Sequence, residues 1–319
     1  MTEDSKCWLQ REFGHATLPF ICRTYPRRYI ATPLGVFATL TPSCHTAART
    51  LIEDPREEPI DPEIEIPLSG ELAPFRLEND LPLSNRQARK IEKELARILF
   101  DSDGPTSHRL CRVSQFLDAV RAPLAASDDL GFTRAIREAR TAPLPFDAPR
   151  PVSEQISILR AIIRQRSSVL IPGESAETFP SLRTLLEEVY ALEDEAAAPP
   201  PSIRMSRAIE RHWKPGLAKI DPLLLRYVQR EIWSKQFTYG HGYRDGVRIV
   251  AFLYFVLRAL TAARAVREGV PVAEGHVIAS ASAVARDFSH SQVVMAFWRG
   301  LLQIPNASKP WFVPLLVLC

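Results

Sequence analysis

Val247-Arg-Ile-Val-Ala-Phe-Leu-Tyr-Phe-Val-Leu-Arg-Ala-Leu-Thr-Ala-Ala-Arg-Ala-Val266 is the most apolar window in the chain. Arg248, Arg258 and Arg264 interrupt it, and its uncharged centre, Ile249 to Leu257, is too short to span a bilayer. It is therefore expected to be a buried core helix.

Outward from that helix, the sequence alternates helix and breaker. Helices are expected over His108–Ala122, Asp128–Ala142, Pro151–Val169, Pro180–Glu195, Ser202–His212, Pro222–Phe237, Arg244–Glu268 and Ala273–Gln303. Ala196-Ala-Ala-Pro-Pro-Pro201 is a hinge or loop, because three prolines cannot continue a helix. Ser84-Asn-Arg-Gln87 is a capping box that opens a further helix, with Ala88, Ile91, Leu95, Ile98 and Leu99 on one face. No internal repeat points to a solenoid. The fold is expected to be mainly α: a helical domain over 84–319, an acidic, proline-rich linker over 53–83 and a small irregular cysteine-bearing region over 1–52. Within the linker, Ile64–Ile66 is a candidate short strand.

In the first fifty residues helical periodicity is weak. Cys7 to Phe13 reads as a short helix closed by Gly14, Tyr29 to Leu40 as a β-hairpin about Pro33-Leu-Gly35, and Cys44 to Ile52 as a helix with Ser43 at its N-cap.

The 319 residues carry a net charge of +3, the difference between 40 basic and 37 acidic side chains, so no strong field argues for nucleic acid or an anionic membrane. The polar start, Met-Thr-Glu-Asp-Ser-Lys, lacks the layout of a secretory signal, and a cytoplasmic location is expected. A disulfide framework poorly explains five cysteines in such a chain. Cys111, among Leu110, Val113 and Leu117, reads as core, and Cys319 has no evident role. Cys7, Cys22 and Cys44 are separated by 14 and 21 residues, a spacing that by itself is a weak signal for a metal site and reads more simply as three buried or idle thiols.

Arg23, Arg27 and Arg28 lie among these cysteines and could fork onto a carboxylate or pair with the acidic linker at the surface. Gly240-His-Gly-Tyr-Arg-Asp-Gly246 opens a helix but follows a helix rather than a strand, so a dinucleotide-type methyltransferase fold is disfavoured. Tyr239, His241 and Tyr243 there fit a plain interhelical turn or a binding loop. Arg286 and His290, four apart, share a helix face that is either solvated or turned to a partner. Ser43, Ser206 and Ser289 lack a nucleophile-elbow context, so a serine hydrolase has no support.

The run Cys7-x-Leu-Gln-Arg-Glu-Phe-Gly-x-x-x-Leu-x-x-x-Cys22-Arg-Thr-Tyr-Pro-Arg27, followed by Ser43-Cys44-x-x-Ala-Ala-Arg-x-Leu51, resembles the flagellin lysine-N-methylase family. Cys22-Arg-Thr-Tyr-Pro-Arg27 is its most distinctive part. Tyr227 to Phe237, Tyr254 to Leu260 and Arg286-Asp-Phe-Ser-His290 are more weakly similar, while about 53–222 carries no recognisable motif. The resemblance implies methyl transfer from S-adenosylmethionine to lysine ε-amines of flagellin, with an iron-sulfur cluster of the 4Fe-4S type. It makes Cys7, Cys22 and Cys44 cluster ligands, and Arg23, Tyr25 and Arg27 candidate contacts for the cofactor. Tyr25, Tyr29, His15 and His45 are candidates to take the lysine proton. Members it resembles carry a further cysteine-rich segment before the position of Cys7, so this chain reads as N-terminally shortened, with an incomplete ligand set. A non-catalytic helical protein that binds a partner or a metal is the alternative.

Overall fold

Helix α10 (Tyr243–Glu268) runs through the middle of the protein, with Val247 to Ala263 buried on every side. The computed structural model describes residues 12–14, 27–53, 72–78, 80–101, 103–143, 152–168, 180–192, 194, 196, 198–288 and 312–317. Among these, α10 is the one helix long and apolar enough to cross a membrane, yet 89% of its apolar window is buried in the protein. Each fully buried Leu, Ile or Phe on it contributes about 1.5–3 kcal/mol. Two of the three arginines that interrupt the window, Arg248 and Arg258, have partners inside. Arg248 donates to Asp245 at 2.9 Å, and Arg258 donates to Gln155 Oε1 at 3.0 Å and to the Val317 carbonyl at 3.2 Å. Gly269, in the left-handed conformation at φ 72°, ends the helix.

Around α10 pack α3 (Thr106–Ala125), α6 (Pro180–Tyr190), α8 (Lys214–Trp233), α11 (Glu274–Phe288) and α12 (Phe312–Val317). The remaining helices are α1 (His45–Glu53), α2 (Asn85–Ala96), α4 (Asp129–Thr141), α5 (Val152–Ser168), α7 (Pro201–Ala208) and α9 (Gln236–Gly240). The fold is mainly α, as expected, with two short antiparallel hairpins, β1 (Arg27–Thr32) with β2 (Gly35–Leu40) and β3 (Arg76–Glu78) with β4 (Leu81–Pro82).

Local signals act as the sequence predicts where they are strong. Ser84 caps α2 reciprocally, its hydroxyl accepting from Gln87 N at 3.2 Å while the Gln87 side chain accepts from Ser84 N at 2.9 Å. Asp128 caps α4 through Gly131 N at 2.8 Å. The expected hairpin forms, with Arg27 opposite Leu40 and Ile30 opposite Phe37.

Three segments differ from expectation. The helices expected at Ser202–His212 and Pro222–Phe237 form one run, α7 joined to α8 by a π turn at Ile209–Trp213, and Pro222 lies inside α8. That run stops at Trp233, short of Phe237, because Lys235 adopts φ 61°. The last part of the expected linker is core: Phe75 and Leu77 are fully buried and Leu83 nearly so. At the start of α1, Ala48 N donates to the Cys44 carbonyl at 2.8 Å, which puts Cys44 rather than Ser43 at the N-cap position. The Cys7–Phe13 helix, the Ile64–Ile66 strand and the extension of α11 to Gln303 lie wholly or largely outside the described residues.

Candidate functional site

The N-terminal hairpin lies against the C-terminal end of α8, and strand alternation decides what it delivers there. In an antiparallel pair, directly opposed residues share a face and neighbours along a strand do not. Arg28, Ile30, Phe37 and Thr39 therefore share one face, and Arg27, Tyr29, Ala38 and Leu40 the other. Arg28 faces Glu231, on the buried side of α8. Burial pushes the Glu231 carboxyl up, partly offset by the Arg28 guanidinium, to about 7. One turn earlier on α8, the buried Tyr227 hydroxyl has no hydrogen-bond partner among the described residues, and burial followed by the Glu231 charge raises it well above its ordinary value.

Phe37, on the same hairpin face as Arg28, reaches Lys235. The Lys235 ammonium is 1% exposed, with its Nζ 4.8 Å from the centre of the Phe37 ring, 5.2 Å from Trp233 and 5.9 Å from Tyr243. Glu92 Oε1, from α2, accepts from Lys235 Nζ at 2.7 Å and from the Tyr243 hydroxyl at 2.7 Å. Desolvation lowers the lysine, with Glu92 opposing it, and raises the tyrosine, with Glu92 adding to the effect. This is an ammonium held by three ring faces and one carboxylate, a constellation suited to an alkylated or unalkylated lysine head.

The loop at Gly240–Gly246 contributes Tyr243 to that cluster. A Cβ on Gly242, at φ 87°, would come within 2.9 Å of the Leu77 carbonyl, and one on Gly246 within 2.6 Å of the Thr238 backbone. Its glycines are there for close packing. Tyr239 donates to the Ala73 carbonyl at 2.7 Å, Phe75 stacks on Tyr243 at 5.8 Å, and His241 is buried.

The residues singled out from sequence separate in space. Arg27 is exposed on the hairpin face opposite Arg28, so the two adjacent arginines do different work. Cys44 is half-buried before α1, fixed by Ser282 Oγ donating to the Ser43 carbonyl at 3.2 Å and, at the other end of α1, by Arg226 donating to the Ile52 and Glu53 carbonyls at 2.5 and 3.0 Å. Tyr29 is half-buried, while His45 and Arg286 are exposed. Cys7, His15, Cys22, Arg23, Tyr25, His290 and Cys319 lie outside the described residues. Cys111 is core, as expected, and burial pushes its thiol up to about 12. Among the described residues no three His, Cys, Asp or Glu side chains gather to hold a metal. One thiol does not hold a four-iron cluster, and the other two expected ligands are not among the described residues.

A family model for the FliB lysine N-methylase C-terminal domain matches residues 98–308, about two thirds of the chain. The chain belongs to the FliB lysine N-methylase family. Comparisons with curated proteins and with solved structures give no match. The matched FliB domain takes in most of 53–222, where the sequence carries no recognisable motif, and begins well after Cys7 to Leu51, the stretch on which the resemblance is read. Tyr227, Glu231, Trp233, Lys235 and Tyr243 belong to the matched FliB domain, whereas Arg28, Phe37, Cys44 and Glu92 precede it and close over it.

Sequence reasoning missed Lys235 and Glu92. Glu92 lies four residues after Ala88 and three before Leu95, at the edge of the apolar stripe of α2, and that placement was the available signal. Nothing local marks Lys235.

Proposed function

We propose that this chain is a protein lysine N-methyltransferase that modifies flagellin, with S-adenosylmethionine as methyl donor and an iron-sulfur cluster ligated by Cys7, Cys22 and Cys44. The observation that carries the reading is the match of residues 98–308 to the FliB lysine N-methylase C-terminal domain. The donor supplies an electrophilic methyl group on a sulfonium. Arg23 and Arg27, by the fork geometry of guanidinium, and Tyr25, through its hydroxyl, remain the proposed contacts for its carboxylate.

The acceptor amine must lose its proton before it attacks. Tyr25, Tyr29, His15 and His45 are the proposed candidates to take it.

Incubation of the protein with flagellin and S-adenosylmethionine is expected to give flagellin whose intact mass rises in steps of one methyl group, localised to lysines by peptide mapping. An unchanged mass with both substrates in excess overturns the reading. Anaerobically purified protein is expected to be brown and to contain iron and sulfide; a colourless, iron-free protein that still methylates flagellin removes the cluster from the proposal and leaves the methyl transfer.

A further inference from the structure

Lys235 is an ammonium in a place where the fold has no packing need for one. An apolar side chain of similar length fills the same volume, and replacing a buried ion pair by apolar groups is often neutral or stabilising. What surrounds it is matched to an ammonium: the rings of Phe37, Trp233 and Tyr243 at 4.8, 5.2 and 5.9 Å, and Glu92 Oε1 at 2.7 Å. Its backbone is at φ 61°, a conformation that side chains other than glycine rarely take and that gathers at functional sites. One wall of the cage lies near the surface. Trp233 is half-buried and meets Phe100 edge-on at 5.6 Å, and Phe100 is 55% exposed. Phe100 belongs to the π turn at Arg97–Asp101, an irregularity frequent at functional sites. Trp233 and the exposed Phe100 packed on it thus form the side of the cage nearest solvent.

We propose that Phe37, Trp233, Tyr243 and Glu92 form the pocket for the acceptor lysine of the substrate protein, and that Lys235 occupies this pocket while no substrate is bound. The proposal rests on the lysine methyltransferase reading above and names where that reaction's acceptor binds. The rings accept an ammonium before and after methyl groups are added, because cation–π attraction tolerates alkylation of the head. Glu92 aligns the nitrogen, and Phe100 meets the aliphatic stem at the rim. An incoming lysine displaces Lys235 from the rings.

The test uses the wild-type full chain and an amine-acetylating reagent, with peptide mapping by mass spectrometry. In the free protein Lys235 is expected to stay unmodified while exposed Lys93 and Lys219 are acetylated. With saturating flagellin, Lys235 acetylation is expected to rise at least about tenfold, as the occupied pocket releases it. Lys235 that stays protected with flagellin bound overturns the proposal. A K235A chain is expected to bind flagellin about tenfold more tightly than wild type, since no internal lysine competes, and to gain thermal stability from n-butylammonium but not from 1-butanol. Flagellin binding no tighter than wild type, together with equal response to the two additives, also overturns it. If K235A does not fold, the labelling result decides alone. The two readings fail separately: protein that methylates flagellin with Lys235 protected throughout refutes the pocket only, and protein that binds flagellin and releases Lys235 without methyl transfer refutes only the methyltransferase.

Discussion

Arg28 on β1 and Glu231 on α8 face each other where the N-terminal hairpin covers the helical body, the guanidinium holding down a carboxyl that burial drives up to about 7. The hairpin and the FliB domain thus share a charge pair whose state changes near neutrality.

A carboxyl whose ordinary value is 4.5 and whose folded value is about 7 binds its proton more tightly in the folded chain. Its contribution to stability is fully present below pH 4.5 and is lost as the pH rises through 7. At about 1.4 kcal/mol per unit the whole effect is of order 3 kcal/mol. Urea unfolding of the wild type should show that decline between about pH 5 and 8, and E231Q, neutral throughout, should lack it. Parallel pH profiles for the two proteins would show that another group titrates.

Gly242 and Gly246 are irreplaceable for different reasons. At Gly242 both the φ of 87° and the Leu77 carbonyl 2.9 Å from a new Cβ oppose any side chain; at Gly246 the helix is ordinary but the Thr238 backbone would be 2.6 Å away. In both cases the obstacle is backbone, which cannot swing aside. G242A and G246A should each lose more than about 2 kcal/mol by urea titration, whereas G275A, with open space around it, should change stability little.

Helix α3 begins without a capping side chain of its own, because Pro105 occupies its N-cap. Asp221, from α8, takes that role: both carboxylate oxygens accept from Thr106 N at 3.2 Å, and the Thr106 hydroxyl donates to the Asp221 carbonyl at 3.1 Å. D221A should therefore cost about 1–2 kcal/mol, the loss expected of a helix cap. D221N, which keeps an acceptor, should cost less, and equal losses for the two would assign the effect to charge alone.

The two described cysteines should differ sharply toward iodoacetamide. Cys111 is 2% exposed with its thiol pushed up to about 12, so almost none is thiolate at pH 8. In folded, metal-free protein Cys44, half-buried, should be alkylated first and Cys111 only after denaturant is added. Mass mapping of a time course checks the order; alkylation of Cys111 at the rate of Cys44 would mean that α3 opens readily.

What the sequence determined by itself is what neighbours along the chain decide. The Ser84–Gln87 box, the Asp128 cap, the hairpin about Pro33-Leu34 and the apolar length of α10 rest on contacts a few residues apart, or on a composition that admits only burial. Local rules failed where distant partners intervene: Pro222 reads as a helix start, yet α8 runs through it with the preceding Asp221 tied to Thr106. The candidate site was legible only in part. Three nearby arginines look equivalent in sequence, and only the hairpin register turns Arg28 toward Glu231 and leaves Arg27 in solvent. Lys235 and Glu92 are ordinary charged residues until α2, α8, α10 and the hairpin meet, because desolvation and ring geometry exist only in the assembled fold.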